Sequence, residues 1–154
     1  MSENKKLLRK PSKKVLAVAS VAAVIVVCMF LLPEIFGNKN VGFKQLEKKQ
    51  IPQSIETEVV PEYRDLERAL GCLIDGKVYV LVTRGEKPTA GYEVTIKEIV
   101  TEKTDKGTNL QVHTLFKDPK EGEAVAQVST YPYAVAVTDL TTLPETIELL
   151  IKYE

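Results

Sequence analysis

The run Lys77-Val-Tyr-Val-Leu-Val-Thr83 is apolar at five consecutive positions, Val78 to Val82. In a strand, successive side chains point to opposite faces, so this run leaves neither face suited to water. It reads as a central strand that must be covered on both sides. Asp75-Gly76, just before it, is a two-residue hairpin signal.

The flanking sequence supplies partners for such a strand. Tyr92, Val94 and Ile96 alternate with Glu93, Thr95 and Lys97, the pattern of a half-buried strand. Thr104-Asp-Lys-Gly-Thr-Asn109 turns the chain at Gly107, after which Leu110, Val112 and Phe116 fall on one face opposite Gln111 and His113. Lys117 to Glu123 is a charged loop. Ala124-Val-Ala-Gln-Val-Ser129 and Tyr133-Ala-Val-Ala-Val137 read as strands on either side of Tyr131-Pro132, and Ile147, Leu149, Ile151 and Tyr153 are in step at the C-terminus. Upstream, Pro61 to Leu70 reads as a short helix, with proline in its first turn, Tyr63, Leu66 and Leu70 on one face, and Gly71 as its end. A short helix is also expected around Val41 to Lys49. About six short strands separated by turns point to a sandwich or barrel.

Charge is unevenly placed along the chain. The first fourteen residues hold Lys5, Lys6, Arg9, Lys10, Lys13 and Lys14 against Glu3 alone. From Gly37 onward there are 15 basic and 19 acidic residues, a net of −4. That balance argues against a nucleic-acid partner, which requires clustered positive charge. The basic run instead precedes Val15 to Leu32, eighteen residues without a charge. As a helix this run spans roughly 27 Å, close to the bilayer's hydrocarbon core of about 30 Å. It is expected to be an uncleaved signal-anchor, with the basic end cytoplasmic and the rest of the chain outside. No small-x-small cleavage site follows Leu32, and Cys28 follows Val27 inside the apolar run rather than in a lipoprotein setting. Cys28 and Cys72 are too few and too separated for a disulfide framework.

Catalytic and metal chemistry has no evident carrier. His113 is the only histidine, and with two separated cysteines it falls short of a zinc ligand set. There is no glycine-rich phosphate loop and no Gly-x-Ser-x-Gly elbow. The expectation is a non-enzyme without metal or cofactor.

The remaining feature is a loop. Arg84-Gly-Glu-Lys-Pro-Thr-Ala-Gly-Tyr92 carries more turn chemistry than a hairpin needs. Pro88 limits the entropy lost on ordering, Gly91 leaves backbone accessible, and Tyr92 offers area at little rotamer cost. Tyr131, Pro132 and Tyr133 read as a second rigid lip at the same end of a sandwich. The candidate contact residues are therefore Gly85, Glu86, Lys87, Pro88, Thr89, Ala90, Gly91 and Tyr92, with Tyr131, Pro132 and Tyr133. Tyr92 shares a face with Val94 and Ile96, so it is read as core support for a tip at Glu86 to Ala90.

Across Val78 to Val137, the ordered set Gly85, Thr89, Gly91, Tyr92, Pro119, Gln127, Tyr131 and Pro132 resembles the PrcB C-terminal domain family. The resemblance implies a non-catalytic domain of bacterial envelope proteins, named after an accessory subunit that binds and stabilises a surface protease. "EKPTAGY" is also similar to the Asn-Pro-Thr-Thr-Gly loop of chagasin-type cysteine-protease inhibitors. Lys87 and Ala90 depart from that motif, the middle loop is not glycine-rich, and "TYPY" lacks the third loop's arginine.

The expected fold is mostly β, a small antiparallel β-sandwich or barrel-like domain preceded by a transmembrane helix and a short helical or stalk segment. The expected divisions are a basic cytoplasmic tail (1–14), a plasma-membrane anchor in the lipid bilayer (15–36), a stalk (37–60) and an extracytoplasmic β-rich domain (61–154). The expected role is a single-pass, non-enzymatic binding or accessory module whose partner is an envelope protein, a protease being one candidate. The rival readings are loop-insertion protease inhibition and a purely structural envelope domain.

Overall fold

The computed structural model describes Asn38 to Glu154. The basic tail and the apolar run Val15 to Leu32 lie outside the described residues, and among the described residues no helix is long and apolar enough to cross a membrane.

Two four-stranded sheets form a sandwich. In chain order the strands are β1 (Lys39–Asn40), β2 (Phe43–Gln45), β3 (Glu67–Ile74), β4 (Lys77–Arg84), β5 (Glu93–Thr104), β6 (Gly107–Lys117), β7 (Tyr133–Thr138) and β8 (Thr146–Tyr153). One sheet has the order β1-β5-β6-β8 and the other β2-β7-β4-β3. Every pairing is antiparallel except β6 with β8, which is parallel. That pair departs from the all-antiparallel expectation. Its cause is the crossing Leu140 to Glu145, which brings the chain from one sheet to the other so that β8 starts beside the start of β6.

β4 meets the constraint read from its sequence. Val80 and Val82 face the other sheet, where they pack with Val94, Ile96, Ile99, Leu110, Val112 and Phe116, and Val78 is fully buried as well. Leu81 faces the opposite way and is also fully buried, against Ile55, Val60 and Val135. The cover on that outer face is helical: a 3₁₀ turn Lys48–Gln50, then a π-helical turn Ile55–Val59 running into a single α-turn Val60–Tyr63.

The segment expected as a stalk therefore contributes β1, β2 and this helical cap to the sandwich. β1 pairs with β5 and β2 with β7, so the chain between Asn40 and Phe43 steps from one sheet to the other and closes that side. The helix expected around Val41 to Lys49 is replaced by β2 and the 3₁₀ turn, because Phe43, Lys44 and Gln45 pair with Thr138, Val137 and Ala136.

Two other expectations are corrected. The helix read from Pro61 to Leu70 ends at Tyr63, and Glu67 to Ile74 is strand instead. Eight cross-strand pairs to β4, from Glu67↔Arg84 to Ile74↔Lys77, outweigh the local helical preference. Gly71 thus ends no helix. It lies opposite Val80, and a Cβ there would come within 2.9 Å of Ile147 Cδ1. The strand read at Ala124 to Ser129 does not form either. Among the described residues no strand lies beside it to complete a ladder, and Val128 stays 57% exposed.

If the cap is integral, Ile55→Ala, which opens a cavity over Leu81, costs about 2–5 kcal/mol in a denaturant titration. A separable stalk would leave the midpoint unchanged.

Candidate functional site

Both loops that matter cross between the sheets at one end of the sandwich. The first, Gly85 to Tyr92, leaves β4 and enters β5; the second, Asp118 to Pro132, leaves β6 and enters β7. Since β4 ends where β5 begins and β6 ends where β7 begins, the topology alone brings the two crossovers together.

They are also bonded to each other. Lys87 and Thr130 exchange two backbone hydrogen bonds, Lys87 N–H to Thr130 O at 2.8 Å and Thr130 N–H to Lys87 O at 2.9 Å. The Thr130 hydroxyl donates to Thr89 O at 2.7 Å, and Ala90 N–H to Ala126 O at 3.0 Å. Gly91 sits at φ +92°, where an added Cβ would come within 2.9 Å of Val125 and 3.0 Å of Pro119, so glycine is required both by backbone and by space. What this clamp leaves outward is the tip: Glu86 and Pro88 are exposed.

Beneath the clamp lies Arg84. Its side chain is 3% exposed, on the same inward face of β4 as Val78, Val80 and Val82. Its backbone N–H donates to Pro132 O at 3.0 Å. One terminal nitrogen donates to Lys117 O at 2.7 Å and Glu93 O at 3.3 Å, and the other pairs with Asp118. The guanidinium carbon stands 4.8 Å from the Phe116 ring centroid and 5.0 Å from that of Tyr92. One residue thus ties the ends of β4, β5 and β6 and the approach to β7. Among the described residues its Nε finds no hydrogen-bond partner.

The predicted site residues divide by environment. Gly85 is buried at φ +74°, 3.3 Å (from a notional Cβ) below Asp65 O. Tyr92 is half-buried beside Arg84, a support for the loop as read from sequence. Tyr131 lies under the Arg64 guanidinium, 4.3 Å from the ring centroid. Pro132 serves through its carbonyl. Tyr133 turns toward the helical cap as the first residue of β7, its hydroxyl donating to Glu56 Oε1 at 3.4 Å. Burial, then the charge of Glu56 and the hydrogen bond to it, raise the Tyr133 phenol above its ordinary 10.0. Between cap and loops runs a cleft of about 760 Å³ bordered by Lys48, Arg64, Tyr92, Thr95, Tyr131 and Tyr133.

Arg84 is not singled out by the sequence reading as a residue that organises this end. The signal was present in the alternation: a cation two positions after Val82 falls on a core face, and a buried cation demands partners. Arg64 carried no such signal, because its approach to Tyr131 depends on where the cap is placed.

Residues 78–139 match the family model described as PrcB C-terminal. Over this segment the chain is similar to the PrcB C-terminal family. No curated protein and no solved structure matches the chain. The PrcB C-terminal span opens at Val78 in β4 and closes at Asp139, just after β7, so it holds both crossovers and all of Arg84's bonding partners. β1, β2, β3, the helical cap and β8 lie outside it, yet they complete both sheets and the outer cover.

Two measurements check this geometry. Arg84→Met leaves the carbonyls of Glu93 and Lys117 and the Asp118 carboxylate without their donor, and should lower stability by about 3–5 kcal/mol in thermal or denaturant unfolding. A loss under 1 kcal/mol would mean that the clamp stands without it. For Tyr133, the folded phenol keeps its proton above the pH at which the unfolded chain ionises. Its contribution is therefore complete below about pH 10 and declines as pH rises through the raised value. Stability measured from pH 9 to 11.5 should fall less steeply in Tyr133→Phe than in the parent chain.

Proposed function

We propose that this chain is a non-enzymatic accessory module that binds another protein of a bacterial envelope, with a protease complex as the partner class. The observation that carries the reading is the match over residues 78–139, which spans both crossovers and the arginine beneath them. A loop pair already bonded together loses little further entropy on binding, the condition under which a small exposed tip yields useful affinity. The contact residues are the exposed Glu86 and Pro88, the bridging Lys87 and Thr89, and Tyr131 at the rim of the cleft. Gly85, Ala90, Gly91, Tyr92, Pro132 and Tyr133 act as the frame.

The proposal extends to location. Residues 15–36 hold the chain in the plasma membrane as a single-pass anchor, with residues 1–14 cytoplasmic and the sandwich outside. The charge-free run behind a basic cluster supports this.

A second reading, protease inhibition by loop insertion, is favoured by one observation: Gly91 packs against Pro119 and Val125, so both crossovers converge at one end. Inhibition requires the tip to enter a cleft, whereas an accessory contact does not.

Affinity capture from native envelope extract distinguishes the readings. The bait is the full-length chain in detergent, beside a Glu86→Ala, Pro88→Ala, Tyr131→Ala variant of matched thermal stability. The accessory reading expects a protease or its complex to be captured by the parent and lost with the variant, while protease activity persists in the captured complex. Equal capture by both would remove these loops as the contact. Submicromolar inhibition of a papain-like protease, abolished in the variant, would establish the inhibitor instead.

A further inference from the structure

β8 ends its sheet. In the order β1-β5-β6-β8 it has β6 on one side and, among the described residues, no strand on the other. Glu154 faces β6, since its N–H donates to Phe116 O at 2.9 Å and its carbonyl accepts from Asp118 N–H at 3.0 Å. Backbone groups alternate in direction along a strand, so Ile147, Leu149, Ile151 and Tyr153 turn their N–H and C=O groups outward. Among the described residues, the helical cap covers the outer face of the other sheet only. On this sheet the outer face of β8 presents exposed Thr146, Glu148 and Lys152 around half-buried Leu150. Tyr153, at the end of the strand, is 60% exposed. An open edge of this kind, with a row of unpaired N–H and C=O groups, is a template for another strand.

We propose that this edge is a self-association surface, pairing antiparallel with β8 of a second copy about a two-fold axis at Leu150. The charge pattern selects both orientation and register. With Leu150 opposite Leu150, Glu148 stands opposite Lys152 of the second copy, and symmetry repeats the pair. The outward-turned residues then match as well, Leu149 with Ile151 and Ile147 with Tyr153. A shift of two residues one way sets Glu148 against Glu154, and the other way leaves Lys152 facing Thr146. Parallel, in-register pairing would oppose Glu148 to Glu148. Opposite charges across a strand pair stabilise it and like charges destabilise it. The occupant is thus a second copy, forming an isologous, continuous eight-stranded sheet.

Register-specific cross-linking tests it, using the full-length chain in detergent with Cys28→Ser and Cys72→Ser as background. On mild oxidation, Leu150→Cys should give a disulfide-linked dimer on a non-reducing gel. Glu148→Cys should cross-link only when mixed with Lys152→Cys. Failure of Leu150→Cys to cross-link, or equal cross-linking of Glu148→Cys alone, overturns the register and with it the proposal. In sedimentation, Glu148→Lys should weaken dimerisation roughly tenfold, and adding Lys152→Glu should restore it. A chain that is monomeric throughout, a double variant that stays weak, or recovery of β8 cross-linked to a different protein would each refute it.

Discussion

Arg84 is the interaction on which the loop-bearing end of this protein depends. A guanidinium held at 3% exposure demands acceptors in fixed places. Those acceptors are the last carbonyl of β6, the first of β5 and the carboxylate that opens the second crossover. Its own backbone N–H holds the end of that crossover at Pro132. Four chain segments distant in sequence are thereby brought into one arrangement, and the hydrogen bonds between Lys87 and Thr130 form above it. Its aromatic neighbours, Phe116 and Tyr92, shield it from water, which strengthens each of these bonds.

The rest of the sandwich is arranged around the demand of β4 for cover on both faces. One face is met by the opposing sheet. The other is met by Ile55 and Val60, carried on helical turns of which the local pattern announces only the last, at Pro61. This places residues 39 to 63 inside the folded unit. The PrcB C-terminal span alone would expose Leu81 and Val135, so the segments on either side of it are part of the same core rather than appendages.

Legibility followed the nature of the signal. Alternation in β5 and β6 was enough to place Val94, Ile96, Leu110, Val112 and Phe116 correctly, because a half-buried strand writes its burial at period two. The apolar segment Ala124 to Ser129 has similar composition yet remains irregular, because strand formation needs a neighbour and none is adjacent. Pro61 to Leu70 shows the converse. Its helical spacing was real for one turn, after which the open edge of β4 drew Glu67 onward into a ladder. The loop between β4 and β5 was visible through its turn chemistry, and the half-burial of Tyr92 through its face. Tyr133 was read with its neighbours as a lip, but its place as the first residue of β7 turns it to the cap.

The sequence by itself determined the elements whose information is local: the two-faced strand, the hairpin turns at Asp75-Gly76 and before Gly107, the glycine-bearing loop, and the family signature within residues 78–139. Tertiary structure alone decided which segments meet. The pairing of Lys87 with Thr130, the acceptors of Arg84, the seat of Tyr131 under Arg64 and the parallel placement of β8 each join residues far apart in the chain. Their geometry follows from sheet topology and from the requirement that buried polar groups find partners, and neither is encoded in any short window.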